Sequence, residues 1–449
     1  MPDFAAAAKD AAQLLSRLIQ FDTTNPPGQE LACLQFLQNT LRDLGLETRL
    51  YESAEGRGNL LAFRPATRPD ALPSDKALLL MGHVDVVPAE PQYWTYPPFS
   101  GTIADGYVWG RGALDMKHLV AIWVVLLKLL QREGPPLRRP IKVMFNADEE
   151  AGGHLGAGWM VEHHLEEIRA AAALNEGGGE EIRLGSRSYF TYQPAEKASA
   201  AFELVARGTP GHGSVPHDDN ALLWLARALE ALATAQPPLV VTEPVRAMVE
   251  SMARHQEEPM KSLLLDFLKP EKAHDAFRRF QLPQQRWTLW ALLHNTVTPT
   301  MLTAGSRPNV IPSEARAVCD CRLLPGETSA SMEHWIREVL RAHGLHEKVT
   351  VKMPPAASSP SSPLDHPLVE SMARALRRHR PESPLIPTML TGGTDGSWLR
   401  PAGIPTYGFV PLPEGEEYER VHGIDERVSI GGLEFALKVL YDTVVDFCR

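Results

Sequence analysis

The segment ALLLMGHVDVVP, residues 77–88, carries a short apolar run that leads directly into a histidine and an aspartate. Two later segments have the same form, IKVMFNADEE at residues 141–150 and AAALNEG at residues 171–177. Helical patterns lie between them, at Leu119–Gln131 and Gly156–Ile168. Short apolar strands that alternate with helices predict an α/β fold around a largely parallel, buried sheet. Because ligands of such sheets bind beyond the carboxyl ends of the strands, the His, Asp and Glu residues there are candidates for a functional site.

The pattern changes after the third of these segments. Residues 198–207 and 314–322 alternate like half-exposed antiparallel strands, and helical stretches lie between and after them. Strands mixed with helices in this order indicate an α+β domain inserted into the first one. We therefore predict a discontinuous main domain, residues 1–187 and 355–449, that is interrupted by an inserted domain at 188–354.

Composition excludes several classes of protein. The chain has 449 residues, and its 45 Lys and Arg against 55 Asp and Glu give a formal net charge of -10, which argues against a nucleic-acid partner. Four cysteines without a CxxC pair in so long a chain indicate a reducing compartment. The longest apolar stretch, Leu119–Leu130, contains Lys128 and is too short to span a bilayer, and the N-terminal segment is typical of an amphipathic helix. We expect a cytoplasmic protein without a membrane partner.

Acidic and histidine residues recur at the strand ends and in loops. The candidate positions are His83, Asp85, Asp115, Glu149, Glu150, Glu176 and His422. Each has an ordinary explanation when taken alone: a solvated loop, a charged surface pair or, for Asp115, a helix cap. Together they point elsewhere, because carboxylates gathered at buried strand ends repel one another unless cations neutralise them. Two histidines with three or four carboxylates suit two cations such as zinc, and Asp85 is placed to accept the second ring N–H of His83.

Six strings along the chain carry a resemblance to a known family. They are MGHVDVVP, WGRGALDMK, NADEEAGG, LNEGGG, GTPGHGSVP and RVHGIDE, in this order. With them the chain resembles the M20 family of dizinc peptidases and deacylases, which includes acetylornithine deacetylase, succinyl-diaminopimelate desuccinylase, aminoacylase and the carboxypeptidase S group. The resemblance implies a zinc-peptidase-like catalytic domain with a mixed, largely parallel sheet. It also implies that the inserted α+β domain is ferredoxin-like and serves as a lid and a dimer contact.

The resemblance assigns a role to each candidate residue of the main domain. The implied ligands are His83, Asp115 and Glu176 for one zinc ion, and Asp115, Glu150 and His422 for the other. Asp115 then bridges the two ions, Glu149 is the general acid/base, and Asp85 stands behind the histidine ligand. The family also implies a cis peptide bond between Asp115 and Met116. Mn²⁺ or Co²⁺ could replace zinc in a site built from nitrogen and oxygen ligands.

Further implied residues lie mainly in the inserted domain. His212, in GTPGHGSVP, matches a family histidine that reaches the active site of the other subunit and stabilises the oxyanion, which implies a homodimer. The ordinary explanation of a histidine between glycines is a solvated loop. The implied substrate contacts are Asn309, Arg322, Gly393 and Thr394. A guanidinium suits capture of a carboxylate, although Arg322 could equally be a surface residue of its strand.

The expected reaction is dizinc-dependent hydrolysis of an amide bond, which releases an amino acid from an N-acyl amino acid or a small peptide. Two alternatives stay open. One is a dedicated biosynthetic deacylase acting on acetylornithine or succinyl-diaminopimelate; the other is a metal-binding relative without catalysis, against which the presence of Glu149 argues. An extra stretch of the inserted domain, about 237–295, either borders the site and favours a bulky acyl group or stabilises the dimer.

Overall fold

The computed structural model describes residues 2–280 and 283–449; residue 1 and residues 281 and 282, the latter two within the predicted extra stretch, lie outside the described residues. The helices are α1 (Phe4–Ile19), α2 (Leu31–Asp43), α3 (Lys117–Glu133), α4 (Ala157–Ile168), α5 (Ala221–Thr234), α6 (Glu243–Arg254), α7 (Met260–Asp266), α8 (Pro270–Arg279), α9 (Pro283–Leu293), α10 (Ser329–Ala342), α11 (Pro367–His379), α12 (Gly396–Leu399) and α13 (Ile430–Cys448). Side-chain caps begin several of them, since Asp3 accepts from the amide of Ala6 at 3.0 Å and Thr328 forms a capping box with Ser331.

The strands of the described residues form one large sheet and three smaller ones. They are β1 (Glu47–Ala54), β2 (Arg57–Arg64), β3 (Leu78–His83), β4 (Ile103–Ala104), β5 (Tyr107–Trp109), β6 (Ile141–Asn146), β7 (Ala172–Asn175), β8 (Gly178–Leu184), β9 (Arg187–Glu196), β10 (Ala198–Ser199), β11 (Phe202–Arg207), β12 (Gly211–His212), β13 (Thr296–Ala304), β14 (Val310–Ile311), β15 (Glu314–Leu323), β16 (Val349–Lys352), β17 (Leu385–Leu390), β18 (Thr406–Gly408) and β19 (Arg427–Ser429). The large sheet has the order β1-β2-β6-β3-β7-β18-β9-β17, with β8 paired to β9.

The centre of the large sheet is parallel and its margins contain antiparallel pairs. Strands β6, β3, β7 and β18 pair in parallel, whereas β1 with β2, β2 with β6, β18 with β9 and β8 with β9 pair antiparallel. The parallel strands β3, β6 and β7 are buried along their whole length, as expected for strands covered on both faces. The predicted α/β fold with a mixed, largely parallel sheet is therefore confirmed.

Helices cover both faces of this sheet. Leu78 and Leu80 of β3 lie in one core with residues of α1, α3, α11 and α13, while Leu79 and Met81 lie in another with residues of α4 and α12. Alternate residues of a strand point to opposite faces, so a continuous apolar strand supplies both cores. Helix α3 is buried almost throughout, which explains its nearly unbroken apolar sequence.

The chain divides into two compact units. Unit 1 comprises Met1–Pro194, Ser362–Thr388 and Thr394–Arg449, and unit 2 comprises Ala195–Ser361 and Met389–Gly393. Strand β9 begins at Arg187, where the sequence placed a boundary, and most of it belongs to unit 1, because its pairing with β18 continues the large sheet. Within unit 1, a small sheet of order β19-β5-β4 joins the loop after His422 to the segment before Asp115.

Unit 2 contains an antiparallel sheet with helices on one face. Its elements follow the chain order β11, α5, β13, β15, α10, β16, and its strands lie in the order β13, β15, β11, β16. This βαββαβ arrangement is the ferredoxin-like fold that the resemblance implied. Residues of β15 alternate between buried and half-buried, and the buried set includes Cys319 and Cys321.

Helices α6 to α9 stand between α5 and β13, where the sequence placed the extra stretch. Helix α7 ends at Asp266, and α8 begins at Pro270, whose ring favours the first turn of a helix over its interior. Buried Lys197 joins α9 to the sheet, because its Nζ donates to the carbonyls of Ala291 and His294 at 3.1 and 2.9 Å. Among the described residues, no helix combines the length and apolar character needed to cross a membrane.

Candidate metal centre

Three parallel strands, β3, β6 and β7, bring the polar residues at their carboxyl ends together. His83 ends β3 and lies in register with Asn146, the last residue of β6, and β7 ends at Asn175 directly before Glu176. Beyond β6 the chain turns through Asp148, whose φ of 72° is left-handed, into the short helical turn that carries Glu149 and Glu150. The carboxyl ends of neighbouring parallel strands share one edge of the sheet, so these side chains meet there.

Three side chains form a first group around the Nε2 atom of His83. Asp115 Oδ1 lies 3.0 Å from that nitrogen and Glu176 Oε1 lies 3.5 Å from it. Glu149 Oε2 is farther away, at 3.9 Å. His83, Asp115 and Glu176 each offer one donor atom within 4.8 Å of the others, and His83 is almost fully buried.

A second group shares Asp115 with the first. His422 Nε2 lies 3.0 Å from Asp115 Oδ2 and 3.2 Å from Glu150 Oε2. The two oxygens of Asp115 thus face two different histidines, which is the arrangement of a bridging carboxylate. The peptide bond between Asp115 and Met116 is cis, as the resemblance implied. All five side chains predicted as ligands therefore lie together, in the two sets predicted.

These distances, 3.0–3.5 Å, are close to the spacing of ligand atoms around one metal ion. Ligand atoms bound to one tetrahedral zinc ion, each about 2.0–2.2 Å from it, stand about 3.3–3.6 Å apart. The ring of His83 supports the same conclusion, because its Nδ1 lies 3.0 Å from the carbonyl oxygen of Asp85, which only accepts hydrogen bonds. Nδ1 therefore carries a hydrogen, and in the neutral ring the Nε2 lone pair would face carboxylate oxygens that also only accept. A cation between them satisfies all of these atoms.

The pKa values of the metal-free site also indicate an excess of negative charge. Burial raises the pKa of Glu176 to about 7, and burial together with the charge of Glu176 raises the pKa of Glu149 well above its usual value. Burial alone would lower the pKa of His83, but Glu176 and Asp115 outweigh it and raise that pKa strongly. Hydrogen bonds to Asp115 and Glu150 raise the pKa of His422 to about 10. The site holds protons where cations would otherwise bind.

Zinc binding should therefore release protons. At about pH 7 His422 is protonated in the metal-free protein, and a metal takes only the neutral imidazole, so affinity should rise as the pH rises from about 6 to about 8. Calorimetric titration in two buffers of different ionisation heat counts the released protons. The His422→Ala protein should release fewer of them. Equal zinc affinity across this pH range, with no proton release, would show that these groups do not bind the metal.

Asp85 makes further contacts besides the predicted one to the ring of His83. Its carboxylate lies 3.4 Å from His83 Nδ1, farther than its own backbone carbonyl, which takes the closer position. The carboxylate also accepts from the backbone amides of Glu149 and Glu150, both at 3.1 Å, and from the side-chain amide of Asn25 at 2.9 Å. Asp85 thus orients the histidine through its backbone and the two glutamates through its side chain.

Buried residues that sequence analysis did not identify stabilise the turn that carries Glu149. Buried Arg57 pairs with Glu30 at 2.7 Å and with Asp148 at 2.9 Å, and Asn25 connects Asp148 with Asp85. Buried charges need partners of this kind. No sequence pattern predicted this network, because its members are far apart along the chain and their residue types are usually exposed.

A second buried ion pair joins the loops that carry Asp115 and His422. Glu426 accepts from the amides of Leu114 and Asp115 at 2.7 and 3.0 Å, and pairs with Arg111 at 2.7 Å. Arg111 also donates to the carbonyl of His422 at 3.3 Å. One ion pair thus positions the backbone around both Asp115 and His422.

The Arg111→Ala protein should be much less stable than the parent, by about 3–5 kcal/mol, because Glu426 would stay buried without its partner. The measurement is urea unfolding of metal-free protein. Arg68→Ala is the control, since Arg68 and Asp70 form an exposed pair of the same unit and the loss should stay below about 1 kcal/mol. Equal stability of the two variants would contradict the account of this pair.

The structure adds Asp395 to the site. This buried carboxylate accepts from the side-chain amide of Asn146 at 2.9 Å, and burial raises its pKa to about 7. Its neighbour Thr394, a predicted substrate contact, is also buried, and its hydroxyl accepts from the amide of Gly396 at the start of α12. The string GGTD drew attention to this loop, but its pattern did not show which side chain points inward.

The other predicted substrate residues lie in unit 2. His212 and Asn309 are brought together, because β12 pairs with β14 and the amide of Gly213 donates to the carbonyl of Asn309 at 2.8 Å. Arg322 makes a two-point contact with Asp320 of its own strand, with N···O distances of 3.0 Å. Gly393 belongs to unit 2, whereas Thr394 belongs to unit 1. Their roles toward substrate stay predictions.

Comparison with known proteins shows the family of the chain. The sequence model of peptidase family M20/M25/M40 matches residues 79–446. A Xenopus tropicalis protein named N-fatty-acyl-amino acid synthase/hydrolase PM20D1 is 28% identical over 367 residues, which cover 80% of this chain and 70% of that protein. Aminoacylase-1 of Sus scrofa is 26% identical, over 95% of this chain and 93% of its own.

Solved structures share the fold. An M20 family metallo-carboxypeptidase of Sulfolobus solfataricus, Sso-CP2, superposes with a TM-score of 0.72 at 17% identity, covering 98% of this chain and 99% of its own. The YXEP protein of Bacillus subtilis, described as a dinuclear metal-binding peptidase, reaches 0.58 at 15% identity, with 98% of both chains covered. The family match spans most of the chain and includes all five predicted ligands. The chain belongs to peptidase family M20/M25/M40, and it is a metal-dependent hydrolase.

Proposed function

We propose that this protein uses two bound zinc ions to hydrolyse an amide bond and release an amino acid from an N-acyl amino acid or a small peptide. The observation that carries the proposal is the position of Asp115, whose two oxygens each lie 3.0 Å from a different histidine. A carboxylate that faces two ligand sets in this way suits two cations side by side. The five ligand atoms come from nitrogen and oxygen donors, which zinc accepts.

Glu149 is the proposed general base and acid. Bound dications would polarise the substrate carbonyl and lower the pKa of a nearby water. Glu149 belongs to neither ligand set, so its carboxylate is available to take a proton from that water. Glu149 would then donate that proton to the departing amine nitrogen. Asp85 keeps Glu149 in place through the backbone amide.

His212 is the proposed donor to the oxyanion, and we propose that a second copy of the chain supplies it. The imidazole is exposed, as expected of a group that acts on another subunit. Strand β13 also supports a homodimer: it pairs with β15 along one edge and with no strand of the described residues along the other, and its Met301 and Leu302 are 64% and 59% exposed. An open edge with apolar side chains is typical of a strand that pairs with a partner.

The relatives direct the choice of substrate. One relative is named an N-fatty-acyl-amino acid synthase/hydrolase and another an aminoacylase, and both names refer to acyl groups and amino acids. We therefore place N-acyl amino acids first, ahead of peptides. A biosynthetic deacylase for acetylornithine or succinyl-diaminopimelate would use the same metal groups and remains the second candidate.

A hydrolysis screen on zinc-loaded protein tests the proposal. The panel contains N-acetyl and N-dodecanoyl amino acids, dipeptides, acetylornithine and succinyl-diaminopimelate, and free amine is measured. N-acyl amino acids should give the highest kcat/KM. Turnover confined to acetylornithine or succinyl-diaminopimelate would favour the deacylase, and no amide hydrolysis at all would contradict the proposed function.

A further inference from the structure

The backbone around His212 is held on two sides. Strand β12 pairs with β14, so His212 lies in register with Val310, and the next amide, that of Gly213, donates to the carbonyl of Asn309 at 2.8 Å. A Cβ atom at Gly213 would lie 3.3 Å from the carbonyl carbon of Asn309, which is tight, so glycine allows this approach. The carbonyl of His212 then accepts from the amide of Val215 at 2.9 Å and closes a turn.

The imidazole ring of His212 has a defined partner within this turn. Its Nδ1 lies 2.7 Å from the hydroxyl oxygen of Ser214 and 3.2 Å from the backbone nitrogen of Ser214. The hydroxyl could donate or accept, but a backbone amide only donates. Nδ1 must therefore accept, which requires a ring without a hydrogen on that atom.

A neutral imidazole carries one ring hydrogen, so a bare Nδ1 places the hydrogen on Nε2. The imidazolium ion has hydrogens on both nitrogens and is incompatible with the Ser214 amide contact. The turn thus selects the tautomer whose outer nitrogen is a hydrogen-bond donor. A donor is what an oxyanion requires, and a donor already oriented before reaction stabilises the transition state without reorganisation.

We propose that Ser214 is a positioning residue that holds His212 in the neutral Nε2–H tautomer, ready to donate to the substrate oxyanion. The inference rests on the proposed oxyanion role of His212 and adds the group that sets its state. The hydroxyl makes the shorter contact, and the amide decides its direction, since it excludes a hydrogen on Nδ1.

Steady-state hydrolysis of an N-acyl amino acid by the full-length zinc-loaded protein tests the kinetic consequence. Ser214→Ala removes the hydroxyl and keeps the amide, so kcat should fall about threefold to tenfold while KM changes little. Ser214→Thr retains a hydroxyl and should restore most of the loss. Ser306→Ala, an exposed serine of the same unit, is the control and should behave like the parent.

A double variant shows whether Ser214 acts through His212. Ser214→Ala should have no further effect when His212 is already alanine. If His212→Ala impairs turnover but Ser214→Ala keeps the parental kcat, the Ser214 proposal is overturned and the oxyanion role stands. If His212→Ala itself leaves kcat unchanged, the oxyanion role of His212 is wrong. Whether Ser214 fixes the tautomer of His212 is then decided by measuring that tautomer directly.

The tautomer is measured by long-range ¹H–¹⁵N spectra of protein labelled in its histidine rings, with His212 assigned by the spectrum of His212→Ala. The parent should show a bare Nδ1 and a protonated Nε2 at about pH 7, and Ser214→Ala should show increased exchange between tautomers. A hydrogen on Nδ1 of His212 in the parent would overturn the proposal whatever the kinetics.

Discussion

Replacing Glu149 with glutamine should lower kcat for N-acyl amino acid hydrolysis by about 10²–10⁴-fold, the range expected for loss of a general acid/base. The amide has the same shape as the carboxylate but cannot take a proton from water. Glu149 is outside both ligand sets, so the protein should keep its full metal content. The measurement pairs steady-state kinetics with metal analysis of the same sample.

Glu150→Gln is the matched control, because it makes the same replacement of a carboxylate by an amide at the adjacent residue. Glu150 Oε2 lies 3.2 Å from His422 Nε2 in the second ligand set, so this variant should lose metal together with activity. The two variants would then distinguish a residue that transfers protons from a residue that binds metal. Parental turnover in Glu149→Gln would show that the assigned base is wrong.

His212→Ala should lower kcat by about 10²–10³-fold, the effect of removing one oxyanion donor. A mixture of this variant with Glu149→Gln should recover activity if His212 acts on the other subunit. In a mixed dimer, one of the two sites then combines an intact Glu149 with an intact His212. With random exchange of subunits, about one quarter of the parental activity should return.

The same mixture also tests the alternative that His212 acts within its own chain. No site of a mixed dimer would then hold both groups, and the mixture should stay as inactive as its components. A sedimentation measurement of each variant confirms that subunits are paired and exchange. Parental activity of His212→Ala alone would instead remove His212 from the mechanism.

The strand ends of the site could be predicted from the sequence, and the reason is physical. His83, Glu149 and Glu176 each follow an apolar run too short for a helix, and parallel strands bring their carboxyl ends to one edge. Asp115 and His422 could not be located this way, since each lies in a loop whose position depends on the small sheet of β19, β5 and β4. For these two residues, the family resemblance supplied what the pattern did not.

The supporting residues could not be predicted. Arg111 and Glu426 are 315 positions apart, and Arg57 reaches Asp148 from 91 positions away, so no local spacing connects them. Their burial is also unusual for charged residues and becomes intelligible only with the partners in view. The further contacts of Asp85 could not be predicted either, because its backbone carbonyl accepts from His83 and its carboxylate also accepts from the amides of Glu149 and Glu150.

Zinc titration of metal-free protein, with metal content and amide hydrolysis measured at each step, tests the two-cation site most directly. The account predicts that activity rises to its maximum at two ions per chain and that His422→Ala binds fewer ions and stays inactive. Full activity without metal, or a maximum reached with a single ion per chain, would contradict it.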